Sequence, residues 1–377
     1  MQKINVKLYH KNDKSFQSTI QKVIGEGFDL AIIVLPDKNI LEALKDVLKS
    51  VQEKDIHYTY IYANSGFFSS IKEFAYETMS DLLSVVAVTL QVELILLNNI
   101  PDVVIRNIKS QKNVFSLGDV QDKASRMTEA NFKTIKRSLS EKIIGQDVAK
   151  KRLLLTLGKR IYSQNNHPLV IGLIGPQGVG KTEMAKTLAS SMGHGEIFRE
   201  QMSMLNDSNS VEYLFGGSSQ KSTFAKKLQQ RSSNIILLDE INLLPKGMLA
   251  AFYQFFDEGK FVDTAYTVYV KNAIIICTGN YLSKTDMAQK IGFPLFSRFS
   301  SICSFEQLTP DDYSEIASSK VNDKLNEISP KFRRDINSKK IVSELKNNPM
   351  KFPDVRNLDH YIDDLFTEQI LKGRGLL

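Results

Sequence analysis

The chain has 377 residues, 42% of them hydrophobic and 24% charged, which allows two or three domains with buried cores and excludes long disorder. Its formal charge of +7 is uneven: residues 1–120 hold 13 Lys/Arg against 14 Asp/Glu, so the basic excess lies beyond them and can attract phosphates of any kind. Two cysteines, Cys277 and Cys303, sit in apolar runs and read as buried thiols in a reducing compartment, not as a disulfide framework.

Met1 to Lys14 mix charge and polarity without an apolar centre, so no signal peptide is expected. The longest apolar stretch, Leu82 to Leu97, is broken by Thr89, Gln91 and Glu93. A membrane span needs roughly 20 mostly apolar residues, so this stretch predicts a buried helix running into a buried strand. The expected location is cytoplasmic, with no membrane partner.

Residues 1–118 alternate strand-like and helix-like runs. Ile4 to Tyr9, Phe28 to Leu35, His57 to Ala63, Val92 to Leu97 and Val114 to Leu117 predict strands. Apolar residues from Ile40 to Val51 recur at helical spacing, and Phe68 to Leu90 predicts one longer helix. Such alternation predicts a small parallel α/β domain. Its turn Asn64-Ser65-Gly66 lies where open sheets bind ligands, although a tight turn with a helix N-cap is the simpler reading. Beyond Gly118 the chain turns polar, then predicts helices near Glu129 to Leu139 and Ala149 to Ile161.

An apolar run, Leu169 to Ile174, leads into Gly175-Pro176-Gln177-Gly178-Val179-Gly180-Lys181-Thr182 and then a helical pattern. Strand, glycine-rich turn and helix at this spacing make a phosphate-binding loop. Glycines let backbone N–H groups turn inward, and the helix start adds its positive dipole end. Lys181 would lie along the β- and γ-phosphates, and the Thr182 hydroxyl would hold Mg²⁺. Four aliphatics, Ile235 to Leu238, end in Asp239 and Glu240, with Asp239 lying 58 residues beyond Lys181. Asp239 is the candidate for Mg²⁺ and Glu240 for polarising an attacking water. A third apolar strand, Ala273 to Cys277, leads to Asn280, whose amide can reach the same γ-phosphate. Thr309-Pro310-Asp311-Asp312 is a helix start, and the chain ends in helical segments.

From about Met127 to the end, about two thirds of the chain resembles the AAA+ ATPases of the Clp heat-shock unfoldase group. Ile143-Ile144-Gly145-Gln146-Asp147 resembles the box that packs the adenine, and Gly175 to Glu183 is similar to the Clp Walker A loop GPTGVGKTE. Phe256 to Asp263 resembles the Clp run DDGxLTD, and Asn280 matches sensor 1. Phe296-Ser297-Arg298-Phe299 resembles the arginine-finger motif, and Pro353-Asp354-Val355-Arg356-Asn357-Leu358 the sensor 2 motif.

The resemblance implies a P-loop AAA+ large domain, with a parallel sheet between helices, followed by a small helical lid and preceded by the separate α/β domain. The implied boundaries are 1–118, a linker and entry helix at 119–137, the ATPase domain at 138–308 and the lid at 309–377. It implies an oligomeric, hexameric, Mg²⁺-dependent ATPase and chaperone in which Arg298 reaches the neighbour's γ-phosphate and Asp239 and Glu240 form the Walker B acids. The N-terminal domain would select a protein substrate or adaptor.

Clp unfoldases grip polypeptide with a G-Y-V-G loop. Aligned back from Asp239, Leu214-Phe215-Gly216-Gly217 falls on that loop; aligned from upstream, the loop is missing and Phe215 is core. Both alignments stand at this level. Ile291-Gly292-Phe293 coincides with a peptidase-docking tripeptide but lies close before Arg298. The other class of function is an ATP-gated switch or scaffold acting on a partner or on nucleic acid, with Lys226, Lys227, Arg231, Arg333 and Arg334 as candidate phosphate contacts.

Overall fold

The computed structural model describes residues 3–33, 45, 49, 57–120, 127–192, 197–217, 222–347 and 355–377, with the side chains of Ile33, Ser208, Asn347 and Arg356 excepted. The helix expected over Ile40 to Val51 lies outside the described residues. Two compact units emerge. One joins Met1–Ser125 with Leu205–Asn234 and Pro245–Asn272; the other comprises Arg126–Met204, Ile235–Leu244 and Ala273–Leu377. Segments 205–234 and 245–272, expected within the ATPase domain, therefore pack with the N-terminal residues.

In the first unit, strands β1 (Ile4–Tyr9), β2 (Gly27–Asp29), β3 (Tyr60–Ala63), β4 (Leu94–Asn98) and β5 (Phe115–Val120) form one sheet in the order β2-β3-β4-β1-β5. Every neighbouring pair is parallel. Ile4, Val6 and Leu8 alternate with exposed residues and pack in one core with Leu83, Val86, Val104 and Ile108. Phe16 and Ile20 form a second cluster with Tyr9, Tyr60 and Leu96.

Three expected elements differ from the sequence prediction in extent, and the strand expected over His57 to Ala63 begins only at Tyr60. The strand from Phe28 gives way after Asp29 to a 3₁₀ turn, Leu30–Ile33, where the Asp29 carboxylate accepts from the Ala31 amide at 2.9 Å. The single helix expected over Phe68 to Leu90 is three pieces, Ser65–Ser70, Glu73–Tyr76 and Met79–Thr89. Ile71 and Lys72 are extended there, and the Tyr76 hydroxyl donates to the Phe68 carbonyl across the break at 2.6 Å. Asn64 caps the first piece, its side chain accepting from the Phe67 amide.

The remainder of this unit is rich in aromatics: Phe224, Phe252, Phe255 and Phe261 are buried and in mutual ring contact. A two-stranded antiparallel ribbon, β9 (Lys260–Val262) with β10 (Thr267–Tyr269), follows the helix Tyr253–Glu258.

In the second unit, β6 (Leu169–Ile174), β7 (Phe198–Gln201), β8 (Ile235–Asp239), β11 (Ile274–Gly279) and β12 (Ser301–Ser304) form a parallel sheet in the order β12-β6-β11-β8-β7. Strands β6, β8 and β11 are buried at every position, as expected of central parallel strands covered on both faces. Gly172 in β6 is a packing glycine: a Cβ there would meet Ile302 at 2.8 Å and Phe299 at 3.3 Å. The helices Pro310–Glu327, Ser338–Asn347 and Val355–Gly373 share a separate small core of Val321, Ile341, Leu345, Leu358, Ile362 and Phe366. Thr309 and Asp312 close a reciprocal capping box at its first helix, with Pro310 at the start.

Candidate functional site

The carboxyl ends of β6, β8 and β11 carry the predicted residues. After Ile174 the chain makes a turn of six residues, 175–180, before the helix Lys181–Ser191. Gly175, Gly178 and Gly180 all have positive φ. Gly175 is required on a second count, because a Cβ would meet the Phe305 carbonyl oxygen at 2.4 Å. Val179 is buried and anchors the turn, while Pro176 and Gln177 are exposed.

Lys181 is buried, and its Nζ donates to the carbonyls of Gly175 at 2.8 Å and Pro176 at 2.5 Å and to Asn280 Oδ1 at 2.9 Å. Burial pushes the ammonium down to about 8, against the opposing pull of the Asp239 and Glu240 charges. Thr182 Oγ1 donates to Asp239 Oδ1 at 3.3 Å, and the Thr278 hydroxyl donates to the same oxygen. Glu183 is exposed on the helix. Lys181, Thr182, Asp239 and Asn280 thus meet at one edge of one sheet.

Glu240 follows Asp239 in the left-handed region, φ 58°, with its amide donating to Thr278 Oγ1 at 2.9 Å. That turn directs the two acids differently. Two side chains that the sequence reading missed hold them: Arg199 Nε donates to Asp239 Oδ2 at 3.1 Å, and Gln201 Nε2 donates to Glu240 Oε2. Arg199 also donates to Gln201 Oε1 at 3.0 Å, which links the two clamps. Both residues lie on edge strand β7, where Gln201 stands opposite Asp239. No sequence signal marks them, because only the register of β7 on β8 brings them to the acids.

A hydroxyl and a carboxylate oxygen side by side at a helix start are hard donors of the kind Mg²⁺ takes, and Mg²⁺ completes its shell with waters and substrate phosphates. The pair Thr182 and Asp239 therefore fits the ion, with Arg199 on the other carboxylate oxygen as a competing cation. Among the described residues there is no group of three or more His, Cys, Asp or Glu suited to a metal.

Ile143 is buried and extended at the end of the helix Glu129–Lys142, and Ile144 is half-buried. Gly145 and Gln146 both take positive φ, and a Cβ on Gly145 would meet Asp312 Oδ1 at 2.6 Å. Gln146 exchanges two hydrogen bonds with the Glu306 backbone, at 2.9 and 3.0 Å, and so fixes the turn. Arg298 is half-buried and donates to the Pro294 carbonyl in the short helix just before it, Phe293–Phe296. Arg356 lies in the first turn of Val355–Gly373, and its side chain, like Pro353 and Asp354, lies outside the described residues.

Phe215 ends the helix Ser208–Phe215 and is 38% exposed, whereas Leu214 is fully buried. Gly216 follows at φ 88°, and the Phe215 carbonyl accepts from the Thr264 amide at 3.1 Å. The tripeptide Ile291-Gly292-Phe293 is a helix junction, with Ile291 buried and Phe293 exposed. Several candidate phosphate contacts are engaged internally. Arg231 donates to the Leu228 and Tyr269 carbonyls, Arg333 donates to Ile328 and Asn326, and Lys227 lies over the Tyr213 ring. Cys277 and Cys303 are buried free thiols, both pushed up by burial, Cys303 to about 12.

Residues 167–337 match the AAA domain (Cdc48 subfamily). The chaperone protein ClpB of Malacoplasma penetrans is 31% identical over 264 residues, covering 63% of this chain and 37% of the relative. The Clp protease ATP-binding subunit ClpL of Staphylococcus aureus is 30% identical over 245 residues, covering 56% and 35%. The chain thus spans little more than a third of the length of these curated relatives. Among solved structures, the S. cerevisiae Hsp104–ADP complex superposes with a TM-score of 0.59 at 16% identity, covering 99% of this chain and 88% of that one. Hsp104 in a closed state with ATPγS and FITC-casein gives 0.56 at 15% identity, covering 98% and 89%. At that identity the likeness concerns the fold. Among the described residues no helix is long and apolar enough to cross a membrane.

Proposed function

We propose that the chain carries an ATP-hydrolysing AAA+ module of the Clp type and that it works in a ring of copies, a hexamer, to remodel protein substrates. The observation carrying this reading is the pair of hydrogen bonds, Lys181 to Asn280 and Thr182 to Asp239, that gathers these four side chains at the carboxyl edge of a parallel sheet. In the proposed division, residues 138–308 are the ATPase domain, 309–377 its lid and 1–118 the domain that selects substrate or adaptor.

Ile143 and Ile144 pack the adenine. Backbone amides of 177–182 donate to the phosphates, and Lys181 exchanges the loop carbonyls it now contacts for phosphate oxygens. Thr182 and Asp239 hold Mg²⁺, which neutralises phosphate charge when bound. Glu240, released from Gln201, accepts the proton of the attacking water, and Asn280 orients that water. Arg356 senses the phosphates from the lid. Arg298, in a motif that resembles the arginine finger, is the residue offered to the adjoining copy. Phe215, exposed at a helix end, is the candidate for gripping polypeptide.

The trans role is tested by mixing. Arg298→Ala retains nucleotide binding but loses turnover on the order of 10³-fold or more, and Lys181→Ala cannot bind nucleotide. Mixing the two inactive proteins restores part of the turnover, because a Lys181→Ala copy still supplies Arg298 to its neighbour. Full activity of Arg298→Ala alone, or no recovery on mixing, would sink the assignment. A second reading, an ATP-gated switch without threading, draws support from the packing of the Phe215-bearing segment in one unit with residues 1–125. Phe215→Ala separates them: threading predicts unchanged basal turnover and lost remodelling of an unfolded protein, whereas a switch predicts that the substitution alters neither turnover nor any remodelling.

A further inference from the structure

The two five-stranded sheets have the same order. Numbered within its own unit, each reads 5-1-4-3-2, parallel throughout. Their registers can be matched at the carboxyl edge. The last pair of the central strands is Tyr9 with Asn98 in one sheet and Ile174 with Gly279 in the other. That match places Ala63 on Asp239, each the last residue of its strand, then Asn64 on Glu240 and Asn99 on Asn280.

The N-terminal edge therefore lacks the groups that handle phosphate. Between β1 and the helix Asp13–Ile20 the turn has three residues, His10-Lys11-Asn12, and no glycine. An alanine stands at the metal position, and Asn64 is committed to capping its own helix. The edge is instead filled from within. The Asp13 carboxylate accepts from the Ser65 amide at 3.3 Å, the Ser65 hydroxyl at 2.5 Å and Asn98 Nδ2 at 3.0 Å. Gln230 then closes it: its Oε1 accepts from the Asp13 amide at 2.9 Å, and its Nε2 donates to Ser65 Oγ at 2.6 Å. A carboxamide oxygen thus accepts from a free amide at the helix start, the kind of donor that a phosphate loop turns toward its ligand. A second tie runs beside it, with the Asp102 amide donating to the Ala265 carbonyl at 2.9 Å and Thr267 Oγ1 to the Asp102 carboxylate at 2.7 Å. Asn99 turns its Nδ2 to the Lys11 carbonyl, and its buried Oδ1 has no partner among the described residues.

We infer that the N-terminal sheet is a non-nucleotide counterpart of the ATP-binding sheet, and that its ligand edge is a docking site for the chain's own segment 222–234, with Gln230 as the inserted ligand. The latch concerns a different edge from the proposed catalytic cluster, and its central test uses no nucleotide.

Amide hydrogen exchange on the full chain tests it. Gln230→Ala, or Gln230→Met if the smaller side chain impairs folding, should speed exchange at amides 13–16 and 65–68 about tenfold, with 169–174 unchanged as the fold control. Unaltered exchange at 13–16 and 65–68 in the folded variant would overturn the latch. Binding of a fluorescent ADP analogue gives the second arm: one equivalent per chain, lost entirely in Lys181→Ala. A second equivalent, or one surviving Lys181→Ala, would show that the N-terminal edge takes nucleotide and defeat the inference. Loss of all binding in the unmutated chain would instead count against the phosphate-loop reading and leave the exchange result standing.

Discussion

Strands β1–β5 and the five-stranded sheet of the second unit share one parallel order, yet their carboxyl edges are built from opposite kinds of residue. At Asp239 and Glu240 two acids are held by Arg199 and Gln201, groups that can let go when a cation or water competes. At the matching Ala63 and Asn64 there is no carboxylate, and the Asn64 side chain is tied to the Phe67 amide of its own helix. The loops differ in the same sense, with three positive-φ glycines in one and none in the other. A shared scaffold fixes where strand ends meet; the side chains and turn at those ends decide whether the edge receives a ligand or a segment of its own chain.

The sharpest break in the comparison is expected at the matched pair Glu240 and Asn64. Glu240→Gln should lower turnover on the order of 10²- to 10⁴-fold while nucleotide binding persists. Asn64→Ala should leave turnover unchanged and cost about 1 kcal/mol of stability through the lost cap. Steady-state ATPase assays and denaturant titrations read both, and normal turnover in Glu240→Gln would remove Glu240 as the base.

Placing an acid on the other sheet is the next largest effect. Ala63 is fully buried, so Ala63→Asp puts a carboxylate where no described group is arranged to receive it. The expected cost is about 3 kcal/mol, seen as a lower urea midpoint, with no gain in Mg²⁺ binding. An unchanged midpoint would mean that the N-terminal edge is open enough to solvate a charge, unlike the picture drawn from its hydrogen bonds.

The smallest effect is a pH dependence confined to the phosphate-loop edge. Lys181 is held near 8 by burial, so in nucleotide-free protein it loses its charge as pH rises through that value. Nucleotide affinity should fall above pH 8 by up to about tenfold per unit, and Lys181→Arg, whose guanidinium stays charged, should flatten the profile. For folding the sign is opposite. The folded chain binds fewer protons than the unfolded one between about 8 and the ordinary 10.5, so this group's penalty is full below 8 and relieved as pH rises to 10.5. Affinity constant from pH 7 to 9.5 would show that phosphate contact does not depend on the Lys181 charge.

Much of the phosphate-loop edge was legible because its signals are local. An apolar run ending in Gly175 to Thr182 can hardly do anything but turn and start a helix, and four aliphatics before Asp239 read as a buried strand. Thr309 and Asp312 announced their helix for the same reason. The helix predicted over Phe68 to Leu90 failed at Ile71 and Lys72, where apolar periodicity continues although the backbone is extended. Gln230 carries no motif at all, and neither do Arg199 and Gln201.

Local sequence therefore determined the phosphate loop, the acid-tipped strand, the capped helices and the alternation that makes each sheet parallel, because backbone conformation and burial pattern are set by near neighbours. Strand order, the match between the two edges, the clamps on Asp239 and Glu240 and the seating of Gln230 on Asp13 and Ser65 were decided only by tertiary structure. Each of those depends on hydrogen bonds between residues far apart in the chain, such as the Asp13 amide and Gln230, whose meeting no local pattern encodes.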